Sequence, residues 1–219
     1  MSAHLEKEMQ KLKKEILAIG SYVEQALQRA VRSVEESDPE LADEVILADE
    51  KIDDLEVELE EDCLKLLALH QPVAIDLRYV VAILKINNEL ERIGDLAVTI
   101  CKQTKIIAEN GKVDTALGVG LLMDKVELML KKSLDALVGL NLDLANDVCS
   151  SDDEVDQMYH SIYEELKKRM RGDVEHMESY LSLIRVIRSL ERIADHTTNI
   201  AEDVVYMING QIIRHSRYA

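Results

Sequence analysis

Four pairs of carboxylates carry the chemistry that this sequence offers. Asp49 and Asp53 stand four residues apart, and so do Glu91 and Asp95. The spacing recurs in the second half, as Asp152 with Asp156 and Glu191 with Asp195. On a helix, residues four apart share a face, with Cβ atoms about 5–6 Å from each other. Like charges at that separation repel, so acid pairs brought together from neighbouring helices favour a bound cation. Oxygen donors of this kind suit iron, manganese, magnesium or calcium. Acids fill about a fifth of the chain, so an isolated acid pair reads as a solvated helix face. Recurrence at matched places in both halves singles these pairs out. So does their setting, since Asp49, Asp53 and Glu91 each directly follow a residue of an apolar seam.

The second half offers further oxygen and nitrogen donors. With Glu191 as the origin on a helical wheel, Asp195 lies about 40° round, Asn199 about 80° and Glu202 about 20°. The first half has Thr99 and Lys102 at the equivalent places, so the two sites should differ in affinity or nuclearity. His196, beside Asp195, reads as a surface or supporting residue before it reads as a ligand. The E-x-x-H pair of ferritin-like di-iron bundles is missing, and Asp173-x-x-His176 is the nearest approach. There is no phosphate loop, no G-x-G-x-x-G turn and no nucleophile with a positioned base.

The elements that must position these acids are helices. Apolar residues recur at spacings of three and four along Ile83, Ile86, Leu90, Ile93, Ala97 and Ile100. A second seam runs Leu183, Ile187, Leu190, Ile193, Thr197, Ile200, Val204, Met207, and a third Leu41, Val45, Ala48, Ile52, Leu55, Leu59. Breaks fall at Ser37-Asp38-Pro39, His70-Gln71-Pro72, Asn110-Gly111 with Asp114-Thr115 as the next cap, Asn141 to Asp143, and Arg171-Gly172-Asp173. The pattern predicts six helices, at about 3–36, 39–69, 73–109, 115–139, 142–171 and 174–210.

The two halves repeat each other. At an offset of 103, Val23-Glu24 meets Val126-Glu127, Leu41-Ala42 meets Leu144-Ala145, and Asp49 and Asp53 meet Asp152 and Asp156. At an offset of 100, Leu90-Glu91-Arg92-Ile93 meets Leu190-Glu191-Arg192-Ile193, and Asp95 meets Asp195. The repeat places Ser150 and Ser151 inside a helix, although they look like a cap, because their counterparts Leu47 and Ala48 are helical in pattern. The expected fold is all-α, two tandem three-helix bundles over residues 1–110 and 111–219.

Composition narrows the partners. There are 43 Asp and Glu against 26 Lys and Arg, a net charge of -17, which opposes binding to DNA or RNA. Two prolines and eight glycines are too few turn-formers for a sandwich or barrel, and with Phe and Trp absent the core must be aliphatic. The longest uncharged run, Val204 to Ile213, is half the length of a membrane span, so a cytoplasmic protein that meets membranes only through partners is expected. Cys63, Cys101 and Cys149 form no C-x-x-C pair and read as small buried residues.

At Leu90-Glu91-Arg92-Ile93-Gly94-Asp95 and Leu190-Glu191-Arg192-Ile193-Ala194-Asp195-His196 the chain resembles the PhoU family. Gln71-Pro72-Val73-Ala74 with Asp76-Leu77-Arg78, and Asn199-Ile200-Ala201-Glu202-Asp203, extend the resemblance over the whole length. The resemblance implies a cytoplasmic, non-enzymatic adaptor that negatively regulates phosphate uptake and phosphate-starvation signalling. It would act between the ATPase of a phosphate ABC transporter and a sensor histidine kinase, as a homodimer. It also implies multinuclear metal clusters, iron in some members, on the eight paired acids. To these the reading of the residues themselves adds Asn199 and Glu202 as further donors, with His196 and Asp203 in support. Two other classes fit the composition: a di-metal carboxylate enzyme and a spectrin-like spacer. The missing E-x-x-H counts against the first, and the doubled acid pairs against the second.

Overall fold

The computed structural model describes residues 3–111 and 118–210. Seven helical segments follow one another: α1 (Ala3–Glu36), α2 (Pro39–Ala48), α3 (Glu50–His70), α4 (Ile75–Asn110), α5 (Val119–Gly139), α6 (Leu142–Gly172) and α7 (Met177–Asn209). Only Asp49 separates α2 from α3, so the described residues form six helical rods and no strand. The expected cap at Asp114-Thr115 lies outside those residues.

The repeat is visible in the caps. Asp38 accepts hydrogen bonds from the N–H groups of Glu40 and Leu41, and Pro39 occupies the first turn, where a missing N–H costs nothing. At the matched place Asn141 accepts from Asp143 and Leu144. Each cap follows a residue with positive φ, Ser37 at 54° and Leu140 at 47°, which turns the chain back on itself. Three helices begin later than the pattern predicts, α5 at Val119 among them. Ala74, at φ 52°, holds Val73 outside α4, and α7 starts at Met177 after a turn at 174–176. Ser150 and Ser151 are mid-helix as expected, each donating its hydroxyl to the carbonyl four residues back.

The predicted single helix over 39–69 is interrupted at Asp49. The residue keeps helical dihedrals (φ -64°, ψ -33°), but the Ile52 N–H bonds to the Asp49 carbonyl at 2.7 Å, three residues back instead of four. Ala48, assigned to the third seam, is consequently exposed, and Leu41 and Leu55 are half-buried. The other two seams are buried throughout.

In the first half α1, the α2/α3 rod and α4 pack together; in the second, α5, α6 and α7 do. The halves join chiefly through α4 against α7, the most extensive helix pair, and through α1 against α5. The α4–α7 pair is antiparallel, since Lys85 meets Asp203, Glu89 meets Asn199 and Gln103 meets Arg185. Residues of both halves therefore share one continuous aliphatic core, so the bundles are not two separate hydrophobic units. Cys63 and Cys101 lie in it, their thiols pushed up by burial to about 12 and about 11, while Cys149 is half-buried. No helix among the described residues is long and apolar enough to cross a membrane.

Candidate functional site

Each half assembles its four acids from two neighbouring rods. In the first, the α2/α3 rod carries Asp49 and Asp53, and α4 carries Glu91 and Asp95. In the second, α6 carries Asp152 and Asp156, and α7 carries Glu191 and Asp195. Exposure repeats as well: Asp49, Glu91, Asp152 and Glu191 are half-buried, and the other four are exposed. The reason is local. Each half-buried acid lies closer to the buried seam, and its partner one turn on lies closer to solvent.

Electrostatics shows that the acids of each half sense one another across the rods. Burial, then the charges of Asp53, Asp95 and Glu91, push the Asp49 carboxyl up to about 6, with Lys102 opposing. Asp195 is exposed as a residue, but its carboxyl is partly enclosed among the acids of α6 and α7; that enclosure, then Glu191, Asp152 and Asp156, push it up to about 6, with His196 opposing. Glu91 and Glu191 are raised for the same two reasons, burial first and neighbouring carboxylates second. Mutual repulsion among partly buried acids is the state that a multivalent cation relieves. The donor set is all oxygen, which fits hard cations. As the side chains stand, no three His, Cys, Asp or Glu groups among the described residues converge closely enough to hold an ion. The residues thus fit a metal in charge and donor chemistry, and binding would draw the carboxylates inward.

The backbone around the first cluster is tuned to Asp49. Its Oδ1 would lie 3.0 Å from a Cβ placed on Gly94, so the glycine makes room for the carboxylate beside α4. The matched residue in the second half is Ala194, facing an unbroken α6. There Asp152 accepts the Thr198 hydroxyl at 3.3 Å instead. Asn87 steadies the first cluster by donating its amide to the Glu56 carbonyl at 2.9 Å, tying α4 to α3.

The remaining predicted donors go elsewhere. Asn199 Nδ2 donates to Glu89 Oε2 at 3.1 Å, and His196 Nδ1 lies 2.6 Å from the same oxygen. Asp203, 2% exposed, pairs with Lys85 at 3.2 Å. These three residues serve the α4–α7 junction. Glu202 remains half-buried on the arc of Glu191 and Asp195. Glu89 was not among the sequence candidates because its repeat counterpart is Ser189, so the doubling that marked the other acids passes it by. Asp173 and His176 meet each other, Nδ1 to Oδ1 at 3.0 Å, at the α6–α7 turn.

The raised carboxyls predict a pH effect. Asp49 and Asp195 bind a proton more readily in the folded chain than at the ordinary aspartate value of 3.8. The stability this supplies is complete below that value and is lost as pH rises through about 6. Metal-free protein should therefore gain stability, relative to its Asp49→Asn/Asp195→Asn variant, as pH falls from 7.5 to 5. Both groups are partly exposed, so solvent screening leaves about 1 kcal/mol in all, or ~2–4 °C in Tm. Thermal melts of the two proteins in chelator measure the difference, and a gap that widens in the opposite direction contradicts the reading.

Comparison with known proteins follows the same lines. The PhoU domain family model matches residues 16–104 and again 119–204. A phosphate-specific transport system accessory protein PhoU homolog of Clostridium acetobutylicum is 37% identical over 207 residues, 94% of each chain. The crystal structure of PhoU from Pseudomonas aeruginosa superposes with a TM-score of 0.91 at 34% identity, covering 94% of this chain and 99% of that one. The phosphate transport system regulatory protein PhoU from Streptococcus pneumoniae superposes with a TM-score of 0.88 at 27% identity, covering 95% and 98%.

Proposed function

The chain belongs to the PhoU family, and from that premise we propose that it is a cytoplasmic regulator of phosphate uptake that works by binding and not by catalysis. In this reading it acts as an adaptor between the ATPase of a phosphate ABC transporter and a sensor histidine kinase. It holds the starvation response down while phosphate is plentiful. The observation that carries the reading is the doubled family match, which spans both four-acid clusters and both halves of the chain. The surface charge of -17 supports docking onto basic faces of the partners, and a homodimer would present two copies of each face.

Metal is the second element of the proposal. Asp49, Asp53, Glu91 and Asp95 would hold ions in the first half, and Asp152, Asp156, Glu191 and Asp195, with Glu202, in the second. Iron fits, as do manganese, magnesium and calcium. A bound cation would supply positive charge that cancels the repulsion within each cluster. The chain's own part is to present the carboxylates on helical rods held by the shared aliphatic core.

The test is genetic. Deletion of the gene is expected to leave phosphate uptake and starvation reporters high in phosphate-rich medium, and the intact chain should restore repression. Normal repression after deletion overturns the regulatory reading. Restored repression by a variant lacking all eight acids keeps the regulator and removes metal from its mechanism.

A further inference from the structure

Cations are outnumbered in this chain, and many sit in ion pairs with acids: Lys11 with Asp62, Arg29 with Glu44, Lys105 with Asp43, Lys125 with Glu154, Lys132 with Asp147. One place departs from this pattern. A cavity of about 210 Å³ opens between α4 and α7, lined by Arg92, Asp95, Thr99 and Lys102 from α4 and by Arg192 and His196 from α7. Arg92 and Arg192 hold the same position in the two halves, so the antiparallel crossing delivers the repeat's two arginines to one opening. Among the described residues none of the three lies within ion-pair distance of a carboxylate, although Arg92 acts on Glu91, Arg192 on Glu191 and Lys102 on Asp49 at longer range. Arg92 Nε donates to Asn88 Oδ1 at 3.2 Å, which anchors the guanidinium and leaves its terminal N–H groups available.

Three cations share the opening with one carboxylate, Asp95, so their mutual repulsion is only partly offset, and an anion between them reduces it further. Planar guanidinium forks match tetrahedral oxyanions bidentately, while Lys102 adds a point charge and Thr99 a hydroxyl donor. The volume is below the roughly 300–1,000 Å³ of pockets that enclose drug-sized ligands, so it suits a small ion with a few waters and not a nucleotide. Asp95 decides which ion. A carboxylate repels a fully deprotonated anion such as sulfate, but it accepts a hydrogen bond from hydrogen phosphate, which keeps one proton at neutral pH.

We propose that the α4–α7 cavity is a binding site for inorganic hydrogen phosphate, gripped by Arg92, Arg192 and Lys102, with Asp95 accepting its hydrogen. The site deepens the regulatory reading above and takes its biological sense from it, since a phosphate regulator needs a place to register phosphate. The Lys85–Asp203 pair and the Glu89 contacts hold the two helices that form its walls.

Calorimetric titration of the full chain, stripped of metal by chelator, tests the site. Inorganic phosphate is expected to bind saturably, sulfate at least tenfold more weakly, and glycerol phosphate more weakly than free phosphate. Arg92→Gln and Arg192→Gln should each weaken phosphate at least tenfold, while Arg188→Gln, outside the cavity, should not. Circular dichroism and melting confirm that the exposed substitutions leave the fold intact. Asp95→Asn should bring phosphate and sulfate to near-equal affinity, an effect that a purely structural role would not produce. Absent binding, binding indifferent to Arg92→Gln and Arg192→Gln, sulfate equal to phosphate in the unaltered chain, or an ester as tight as the free ion each overturns the assignment. Failure here, with repression lost on gene deletion and restored by the intact chain, removes the site and keeps the regulator; binding here with no effect of gene deletion does the reverse.

Discussion

Replacing Lys85 by Met is expected to destabilise the protein by about 2–3 kcal/mol, a fall of roughly 5–10 °C in Tm. Its ammonium lies 3.2 Å from Asp203, whose side chain is only 3% exposed, and 5.2 Å from the centre of the Tyr206 ring. Removing the cation takes the Lys85 charge away from a buried carboxylate, which costs more than the pair contributes when intact. Because Lys85 is 36% exposed, water softens the loss below the 3–5 kcal/mol typical of fully buried pairs. The double change Lys85→Met/Asp203→Leu should recover much of the loss. The repeat supplies a control: Arg185 meets Gln103 at the matched place, 3.4 Å apart and exposed, so Arg185→Ala should cost under about 0.5 kcal/mol. Chemical denaturation of the four proteins checks the set. Equal effects of Lys85→Met and Arg185→Ala would show that the pair does not clamp the halves.

Changing Glu191 and Asp195 together to Ala is expected to abolish cation binding in the second half while leaving α7 helical. Ala is the better helix former, and the change relieves like-charge repulsion, so metal-free protein should gain about 0.5–1 kcal/mol. Glu91→Ala/Asp95→Ala should do the same in the first half. The halves should not be equal. Lys102 opposes the raised carboxyl of Asp49, whereas its counterpart is Glu202. Asn199 adds less to this asymmetry than its place on the wheel implies, because its amide is committed to Glu89. Charge reversal by Lys102→Glu should therefore tighten the first site about tenfold, ~1.4 kcal/mol at a partly exposed position. Metal content after loading with manganese, together with melts with and without chelator, measures both effects. A variant that keeps its full metal content, or one that unfolds without losing metal, would assign these carboxylates a structural role.

Much of this molecule is written locally. The six rods and the pairing of Asp49 with Asp53 and Glu91 with Asp95 follow from spacings of three and four, and the breaks at Asp38 and Asn141 from residue type. Those spacings are set by helix geometry before any tertiary contact forms. Doubling of the pattern made the four acid pairs stand out from an acidic background, and it also kept Ser150 and Ser151 inside α6. Membership of the bundle followed too, since each seam buries only against others of its kind.

The tertiary structure decided what the halves do to each other. No local spacing encodes that α4 and α7 cross antiparallel, because that choice is made by the fit of two long apolar faces. The crossing joins the cores of the two three-helix bundles, buries Asp203 on Lys85, and turns His196 and Asn199 to Glu89. It also brings Arg92 and Arg192, a hundred residues apart in the chain, to the rim of one cavity. The interruption at Asp49 was equally hidden: its carboxylate stands against Gly94 of another helix, a contact that leaves no mark in the sequence around Asp49.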